Sequence, residues 1–246
     1  MDVFQADLHI HSVLSPCGSL EMSPVNIIAT AIQQKLDIIG ITDHNSTRHG
    51  PIVKKIGDRN GIFVLQGAEV TTREEIHCLT FFENEKELSV FQKYISDYLP
   101  FVQNNPEYFG FQVIVDEKEN ILEEIETLLL VGINQSIDEV AKTVRNLNGI
   151  LIPAHIDRPR NGLLSQLGFM PDHIIPDAIE ISGTNNKTHF LSTNPEFIKY
   201  AVIKSSDAHR LSQIGYHRTG FILKEISYNE IVMALHQEQG RGIVEL

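Results

Sequence analysis

The amino-acid sequence predicts an α/β fold of the TIM-barrel type built around one hydrophobic core. Its 246 residues, 42% of them hydrophobic, match the length at which α/β barrels fold as one domain. Apolar segments of strand length alternate with segments of helical periodicity, which favours parallel strands connected by helices. Imidazole and carboxylate side chains follow several of these strands, whereas an open doubly wound sheet would collect them mainly at one switch point. We therefore prefer the barrel to the open sheet.

Eight segments rich in aliphatic and β-branched residues have the composition of strands. They cover residues 3–11, 37–42, 62–69, 76–82, 150–154, 178–181, 201–204 and 219–223. Between them, Ser23 and Pro24 form a typical helix start, and Ser136 caps a helix over residues 137–147. A further helix is predicted near residues 230–237.

The regular alternation is interrupted between residues 84 and 130. Residues 86–99 predict a helix, and residues 116–120 predict a turn between two short strands. We expect a single catalytic domain over residues 1–246, in which residues 84–130 form an insertion over the barrel mouth. This insertion either selects the substrate or is a solvated elaboration that contributes only stability.

Charge and cysteine content narrow the class of protein. The formal net charge of −12 disfavours long nucleic acid as a partner, because phosphate binding needs clustered Lys and Arg. Cys17 and Cys78 lack CxxC spacing, which suits a reducing compartment. The sequence shows neither an export signal nor a membrane-spanning segment, so we expect a cytoplasmic protein without a membrane partner. The oligomeric state is not predicted.

His9 and His11 are the first candidate metal ligands. Two residues apart on a strand, their imidazoles share one face and can bind one ion. The following loop can bring Cys17 over the same site, where a thiolate would favour zinc or iron over magnesium. The alternative for Cys17 is a small side chain in a tight turn.

Four more candidates lie beside the next strands. Asp43 and His44 follow one strand, and Asp43 either orients His44 or binds metal itself. Glu69 closes a buried strand, where a carboxylate must be paired or metal-bound, and its two oxygens can bridge two cations. His77 begins the next strand; taken alone, it is more often a core histidine than a ligand.

The second half of the chain supplies the remaining candidates. His155 ends an apolar strand, and Asp207 and His209 repeat the same-face spacing of the first pair. Arg158 is a candidate clamp for a substrate phosphate, since its planar guanidinium suits two oxygens; the alternative is a surface ion pair.

The histidines fall into two sets. Six of the eleven flank predicted strands, which together predict a multinuclear metal site: His9, His11, His44, His77, His155 and His209. The other five are interpreted as surface or locally hydrogen-bonded residues: His49, His173, His189, His217 and His236.

The ordered motifs resemble the PHP (polymerase and histidinol phosphatase) family over about residues 6–210. The motifs are Asp7-Leu8-His9-Ile10-His11-Ser12, Thr42-Asp43-His44, Gly67-Ala68-Glu69, His77, His155 and Ser206-Asp207-Ala208-His209. The resemblance implies a distorted (β/α)7 barrel with two or three divalent metals, zinc, manganese or iron, at the carboxyl ends of its strands. Within the family, the chain looks most like stand-alone phosphoesterases acting on nucleotides and short RNA.

The resemblance also implies three ligand groups. The first metal would be held by His9, His11, Glu69 and Asp207, the second by Glu69, His77 and His155, and the third by His44 and His209. The sequence departs from the family in two places. Cys17 stands in the loop where relatives carry a His or Asp, and Ile156 replaces the proline of the His-Pro-x-Arg arrangement that would precede Arg158.

We therefore expect a phosphoesterase that hydrolyses a small phosphorylated substrate, such as a nucleotide or short oligonucleotide, through a metal-bridging hydroxide. Asp207, Arg158 and His209 are the expected catalytic residues: Asp207 as a metal ligand, the other two at phosphate oxygens or the leaving alkoxide. The alternatives are a histidinol-phosphatase-like monoesterase, an amidohydrolase-type C–N or C–O hydrolase, and a non-catalytic metal-binding barrel.

Overall fold

A computed structural model describes all residues, 1–246. The strands are β1 Asp2–Ile10, β2 Ile38–Ile41, β3 Phe63–Thr71, β4 His77–Phe82, β5 Val113–Val115, β6 Ile121–Glu124, β7 Ile150–Pro153, β8 Ile179–Glu180, β9 Val202–Ile203, β10 Thr219–Leu223 and β11 Gly242–Glu245. The helices are α1 Pro24–Gln33, α2 Gly50–Asn60, α3 Glu85–Tyr98, α4 Pro106–Phe109, α5 Ile137–Asn146, α6 Leu163–Gln166, α7 Lys187–Thr193 and α8 Tyr228–Leu235. Short 3₁₀ turns occur at Pro195–Phe197 and Leu211–Gln213.

A curled seven-stranded sheet forms the half-barrel that carries the site. Its strand order is β11-β10-β1-β2-β3-β4-β7, and β8 and β9 form a separate parallel pair. The amide of Ile156 donates to the carbonyl of Glu180 at 2.9 Å, which joins the end of β7 to β8. Ala208, after β9, forms a parallel bridge with Ile10 of β1. The chain thus returns to its first strand, so residues after β1 and β9 become neighbours.

The expected parallel direction of the strands is wrong at β4 and β10. Strand β4 runs antiparallel to both β3 and β7, and β10 runs antiparallel to β1. Only residues 72–76 separate β3 from β4, whereas a parallel crossover needs a dozen or more residues. The chain therefore reverses in a hairpin that pairs His77 with Thr71. This reversal explains how His77, at the start of a strand, reaches the edge where the other candidates end their strands.

Helices pack on the sheet as their caps and apolar faces predict. The Ser23 hydroxyl accepts the amide of Asn26 at the start of α1. Ser136 and Glu139 form a reciprocal capping box at the start of α5, satisfying amides that the helix itself leaves free. One buried cluster lies between the sheet and α1 and α2, and a second fills the interior below the site.

Residues 84–130 form α3, α4 and the β5–β6 hairpin, close to the predicted helix, turn and strands. The hairpin packs on the loop after β1 through a small cluster of Val13, Val113 and Val115. Gly110, at φ 102°, approaches the Pro16 backbone so closely that a side chain would collide with it. The insertion therefore rests beside the loop that carries Cys17.

None of the helices has both the length and the apolar character that crossing a membrane requires.

Candidate metal centre

Glu69 lies at the centre of a buried histidine cluster. It is 1% exposed and sits near the end of β3. Five imidazole nitrogens surround its carboxylate: His9 Nε2 at 3.3 Å, His11 Nε2 at 3.4 Å, His44 Nδ1 at 3.0 Å, His77 Nδ1 at 2.7 Å and His155 Nε2 at 3.1 Å. Burial alone would raise the pKa of the Glu69 carboxyl, but the surrounding histidines hold it well below its usual range. Glu69 is therefore an anion at the centre of the cluster.

Asp207 approaches the same histidines from the loop after β9. Its Oδ1 lies 3.3 Å from His9 Nε2 and 3.2 Å from His11 Nε2. Burial opposes ionisation, yet these histidines keep the pKa of the Asp207 carboxyl well below its usual range. Asp207 and His155 have positive φ angles of 51° and 29°, conformations that are strained for non-glycine residues and concentrate at functional sites.

A third group of nitrogen donors contains His11, His44 and His209. The rings of His11 and His209 stack with centroids 4.1 Å apart, and those of His11 and His44 lie 4.5 Å apart. Nδ1 of His209 is 2.9 Å from the carbonyl of Asp207, which leaves Nε2 available for another ligand. The third ligand group implied by the resemblance therefore has its two histidines close together.

Cys17 stands beside this third group. Partial desolvation raises the pKa of its thiol, but hydrogen bonding with His209 and His44 outweighs that effect and lowers the pKa to about 7. The residue remains exposed at the surface. A thiolate beside two imidazoles is a donor set that zinc favours.

The donor atoms fit divalent cations. They form three overlapping groups whose atoms lie within 4.8 Å of one another: His9, His11 and Glu69; His44, Glu69 and His77; and His11, His44 and His209. Nε2 of His9 and Nε2 of His11 are 3.2 Å apart, and Glu69 Oε2 and His44 Nδ1, 3.0 Å from each other, are buried and form no hydrogen bond of suitable geometry. Nitrogen and carboxylate donors in this arrangement suit zinc, manganese or iron.

Glu180 supports the cluster and was missed by the sequence reasoning. It is 2% exposed on β8, and its Oε2 lies 3.1 Å from His9 Nδ1. The same oxygen accepts the backbone amide of His155 at 3.0 Å. A carboxylate behind a ligating imidazole fixes the ring and its tautomer. The signal was available, because Glu180 is the one charged residue inside the predicted strand at residues 178–181.

Asp43 is not among the grouped donors, although it was predicted as a possible ligand. Its Oδ1 accepts from the Ser12 amide and the Ser15 hydroxyl, both at 2.7 Å, and its Oδ2 accepts from the Ser12 hydroxyl at 2.7 Å. The Ser15 hydroxyl in turn lies 3.0 Å from His11 Nδ1. With its oxygens engaged in this way, Asp43 is placed to position His11 through Ser15, and its role as a metal ligand stays a prediction.

His49 is fully buried, contrary to its interpretation as a surface or locally bonded residue. Its Nε2 accepts the amide of Val115 at 3.1 Å, and its Nδ1 lies 2.5 Å from the Ser12 hydroxyl. Burial lowers the pKa of His49, which agrees with a neutral ring that donates at Nδ1 and accepts at Nε2. His49 therefore connects the inserted hairpin to the hydrogen bonds behind His11.

Asp7 connects β1 to the loop that carries Asp207 and His209. Its carboxylate accepts from the amide and hydroxyl of Ser206 at 2.9 and 2.6 Å and from the amide of Gly215 at 2.8 Å. Complete burial raises the pKa of Asp7 to about 6 despite these donors. The bonds fix the loop that carries Asp207 and His209 against β1.

The cluster opens into a cavity of about 420 Å³. Arg158 lines it and donates from Nη1 to Asp207 Oδ2 at 2.5 Å. Arg158 thus pairs with Asp207 of the histidine cluster and not with a carboxylate on the outer surface. The cavity is lined by His44, Glu69, His77, His155, Arg158, Pro159, Arg160, Asn161, Asp207 and His209.

The PHP domain family model matches residues 7–161. The chain belongs to the PHP domain family. The resemblance seen in the motifs is thereby confirmed, together with the PHP type of α/β fold. The number of barrel strands and the assignment of individual site residues stay predictions.

One relative and two solved structures are similar to this chain. The uncharacterized protein YqxK of Bacillus subtilis (strain 168) is 24% identical over an alignment that covers 99% of this chain and 65% of YqxK. The lesion-specific endonuclease PfuEndoQ of Pyrococcus furiosus has a similar fold, with a TM-score of 0.77 and 20% identity over 98% of this chain and 58% of that one. Endonuclease Q in complex with a 27-mer duplex containing an abasic lesion gives a TM-score of 0.73 at 19% identity, with the same coverage of 98% and 58%. The chain therefore spans somewhat less than two thirds of these proteins.

Proposed function

We propose that this PHP chain is a metal-dependent phosphoesterase acting on a nucleotide or a short oligonucleotide. The observation that carries the proposal is the buried carboxylate of Glu69, which five imidazoles surround at 2.7 to 3.4 Å beside an open cavity. Family membership and the endonuclease fold neighbours support hydrolysis of a phosphoester bond.

The residues of the centre divide into ligand groups that share Glu69. We assign His9, His11 and Asp207 to a first cation and His77 and His155 to a second, with one Glu69 carboxylate serving both. The third group comprises His44 and His209, completed by Cys17. Divalent cations bound here would supply Lewis acidity toward phosphate oxygens and a nucleophile at neutral pH.

The protein's own contribution is to hold these donors in place before substrate arrives. Glu180 fixes His9 through Nδ1, and Ser15 fixes His11 through Nδ1, so that the Nε2 atoms of both rings face the carboxylates. Such support typically changes metal affinity or activity by about 10- to 100-fold when it is removed.

Arg158 and His209 are the side chains placed to meet the substrate. The guanidinium of Arg158 lines the cavity, and its planar fork matches two phosphate oxygens. His209 also lines the cavity, with its ring orientation set by the carbonyl of Asp207. We propose that Arg158 binds non-bridging oxygens and that His209 contributes to stabilising the leaving oxygen.

Size and charge favour a small substrate. A cavity of about 420 Å³ falls within the range that encloses ligands of nucleotide size. The net charge of −12 disfavours extended contact with a polyanion. The 27-mer duplex is a ligand of endonuclease Q, a protein of which this chain spans 58%.

The test combines metal analysis with a substrate screen of the purified chain in manganese, zinc and iron. We expect hydrolysis of phosphodiesters or phosphomonoesters, with turnover that chelation abolishes. Asp207→Asn should lose most turnover and part of the bound metal while keeping its circular dichroism spectrum. Asp97→Asn is the control, because Asp97 is an exposed residue of α3 that pairs with Lys93.

Wild-type turnover in Asp207→Asn would refute the site assignment. Hydrolysis of amides or carboxylic esters without turnover of any phosphoester would instead favour an amidohydrolase-type reaction. Bound metal without turnover on any substrate would favour a non-catalytic barrel.

A further inference from the structure

A second cavity adjoins the metal centre on the far side of Arg158 and Pro159. It measures about 380 Å³, and these two residues line both cavities. A molecule with its phosphorus at the metal centre can extend past Arg158 into this space. The cavity is also lined by Asp157, Ser182, Thr184, Gln213, Tyr216 and His217.

Apart from Asp157 and Arg158, the polar groups that line the second cavity are uncharged. The carboxylate of Asp157 accepts from the amide and hydroxyl of Ser182 at 2.7 and 2.6 Å and from Asn185 Nδ2 at 2.8 Å. Partial burial and the positive charge of Lys204 lower the pKa of His217, so its ring is neutral at pH 7. Arg158 is the only cationic side chain in the lining, and it is shared with the metal centre.

This lining disfavours a second phosphate. An anion would have to be held here without a lysine or arginine of its own, beside the ionised Asp157. Hydroxyl and amide groups such as those of Thr184 and Gln213 instead suit the hydroxyls of a sugar or the edge of a nucleobase.

Tyr216 supplies an aromatic face at the edge of the cavity. It is 78% exposed, and its ring meets the ring of His217 edge to face with centroids 4.8 Å apart. The His217 ring lies against Gly183, where a Cβ atom would come within 2.0 Å of it. The amide of Gly215 donates to Asp7 at 2.8 Å, which anchors the backbone next to Tyr216. The aromatic pair is thus positioned by fixed neighbours.

The same loop connects the second cavity to the metal centre. Oε1 of Gln213 accepts the backbone amide of His209 at 2.8 Å. Asp207 and His209 begin this loop and Tyr216 and His217 follow, so one segment lines both cavities. A molecule bound in the second cavity therefore lies beside Gln213, the side chain that holds the backbone of His209 in the metal centre.

We propose that the second cavity binds the nucleoside of the phosphoester whose phosphorus lies at the metal centre. The nucleobase stacks on Tyr216, and the sugar faces Ser182, Thr184 and Gln213. This inference rests on the proposed phosphoesterase function and assigns its substrate class to a particular subsite. Aromatic stacking is tolerant of base identity, so the subsite recognises nucleosides without strong sequence preference.

The test compares two diesters that share a p-nitrophenolate leaving group. One is the p-nitrophenyl ester of thymidine 5′-phosphate, and the other is methyl p-nitrophenyl phosphate, which contains neither a nucleoside nor a second ring that could stack on Tyr216. In Tyr216→Ala we expect the ratio of kcat/KM for the thymidine ester to that for the nucleoside-free ester to fall about tenfold, the order of effect of one base–aromatic stack. Tyr216→Phe should keep the wild-type ratio, since it retains the ring.

The matched control is Tyr108→Ala, because Tyr108 is also a strongly exposed tyrosine, 80% exposed, and lies on α4 away from both cavities. Its ratio should equal that of the wild type. An unchanged ratio in Tyr216→Ala, or an equal loss on both esters, would overturn the nucleoside subsite.

A binding measurement separates this inference from the catalytic one. Saturation-transfer NMR with thymidine, which carries no phosphate, should show transfer from the wild type and from Tyr216→Phe but not from Tyr216→Ala. If the wild type hydrolyses neither of these esters nor any phosphoester of the substrate screen but binds thymidine through Tyr216, the phosphoesterase function fails and the subsite stands. If thymidine shows no Tyr216-dependent transfer, the subsite is wrong whatever the catalytic result.

Discussion

Glu180 and His9 are joined at the side of the imidazole that faces away from the metal centre. Oε2 of Glu180 lies 3.1 Å from His9 Nδ1, and His9 Nε2 lies 3.3 Å from Glu69 Oε1. The His9 ring therefore lies between two buried carboxylates. Glu180 orients the ring through Nδ1, and Glu69 lies beside Nε2, the nitrogen assigned to the metal. This relationship explains how a strand-borne histidine is held with Nε2 directed at Glu69.

Replacing Glu180 with Gln should weaken the centre without abolishing it. Gln keeps the size of the side chain but loses the negative charge that favours an Nδ1–H tautomer of His9. We expect metal affinity or kcat/KM to fall about 10- to 100-fold. Metal titration and steady-state kinetics measure the two effects. Glu123→Gln, at an exposed carboxylate paired with Arg48, should behave as the wild type, and equal behaviour of both variants would contradict a positioning role for Glu180.

Cys17 should be the more reactive of the two cysteines in chelator-treated protein. Its pKa is about 7, because hydrogen bonding with His209 and His44 outweighs the effect of partial desolvation. Since only the thiolate is alkylated, its reaction rate with iodoacetamide should rise through pH 7 and level off near pH 8. Burial raises the pKa of Cys78, which should not react until the protein unfolds.

Peptide mapping by mass spectrometry assigns the alkylated cysteine, and Cys17→Ser provides the background rate. If Cys17 completes the third ligand group, added zinc should protect it. A rate that continues to rise above pH 8.5, as for an ordinary thiol, would contradict the lowered pKa.

Removal of metal should lower the melting temperature. Ligands that bind only the folded state stabilise it by about 2.7 kcal/mol at 100 times their Kd, which corresponds to roughly 5 to 10 °C for a chain of this size. Differential scanning fluorimetry with EDTA and then with excess zinc or manganese measures the shift. Asp207→Asn should show a smaller shift than Asp97→Asn. An identical Tm with and without metal would argue against cation binding by these residues.

The sequence could predict the parts of the centre that follow strand geometry. His9 and His11 share a face because side chains alternate on β1, and Glu69 lies near the end of an apolar strand. The orientation of β4 was mispredicted because an apolar run has no direction; the short connection at residues 72–76 was the available signal. If β4 is assumed to be parallel to its neighbours, His77 is placed at the wrong end of the sheet.

The supporting hydrogen bonds were harder to predict because their partners are distant in sequence. His49 bonds Ser12 across 37 residues and Val115 across 66 residues, and no local pattern marks it as buried. Asp43 was recognised as a candidate, but its hydrogen bonds depend on how the Ser12–Ser15 loop folds back onto it. Such roles become visible only when the loops are placed in three dimensions.

The end of the chain provides a test of stability that is independent of metal. Glu230 on α8 accepts hydrogen bonds from Arg241 Nε at 3.0 Å and Nη2 at 2.6 Å. Because Arg241 directly precedes β11, these bonds connect α8 to the last strand. Hydrogen bonds from Arg241 and from the amide of Lys224 lower the pKa of Glu230 to about 2. Because the folded-state pKa lies below the unfolded value of 4.5, this carboxylate stabilises the fold fully above about pH 4.5 and progressively less as the pH falls toward 2.

Glu230→Gln should therefore be less stable than the wild type at pH 6, and the difference should shrink between pH 4.5 and 3. Urea unfolding of metal-free protein at each pH measures it, with the metal removed so that protonation of the cluster histidines does not release cations during the titration. Glu124→Gln, an exposed carboxylate at the end of β6, is the control and should show no such pH-dependent difference. A stability difference that stays constant down to pH 3 would mean that the Arg241 fork holds Gln as well as it holds the carboxylate, and that charge is not what joins α8 to the last strand.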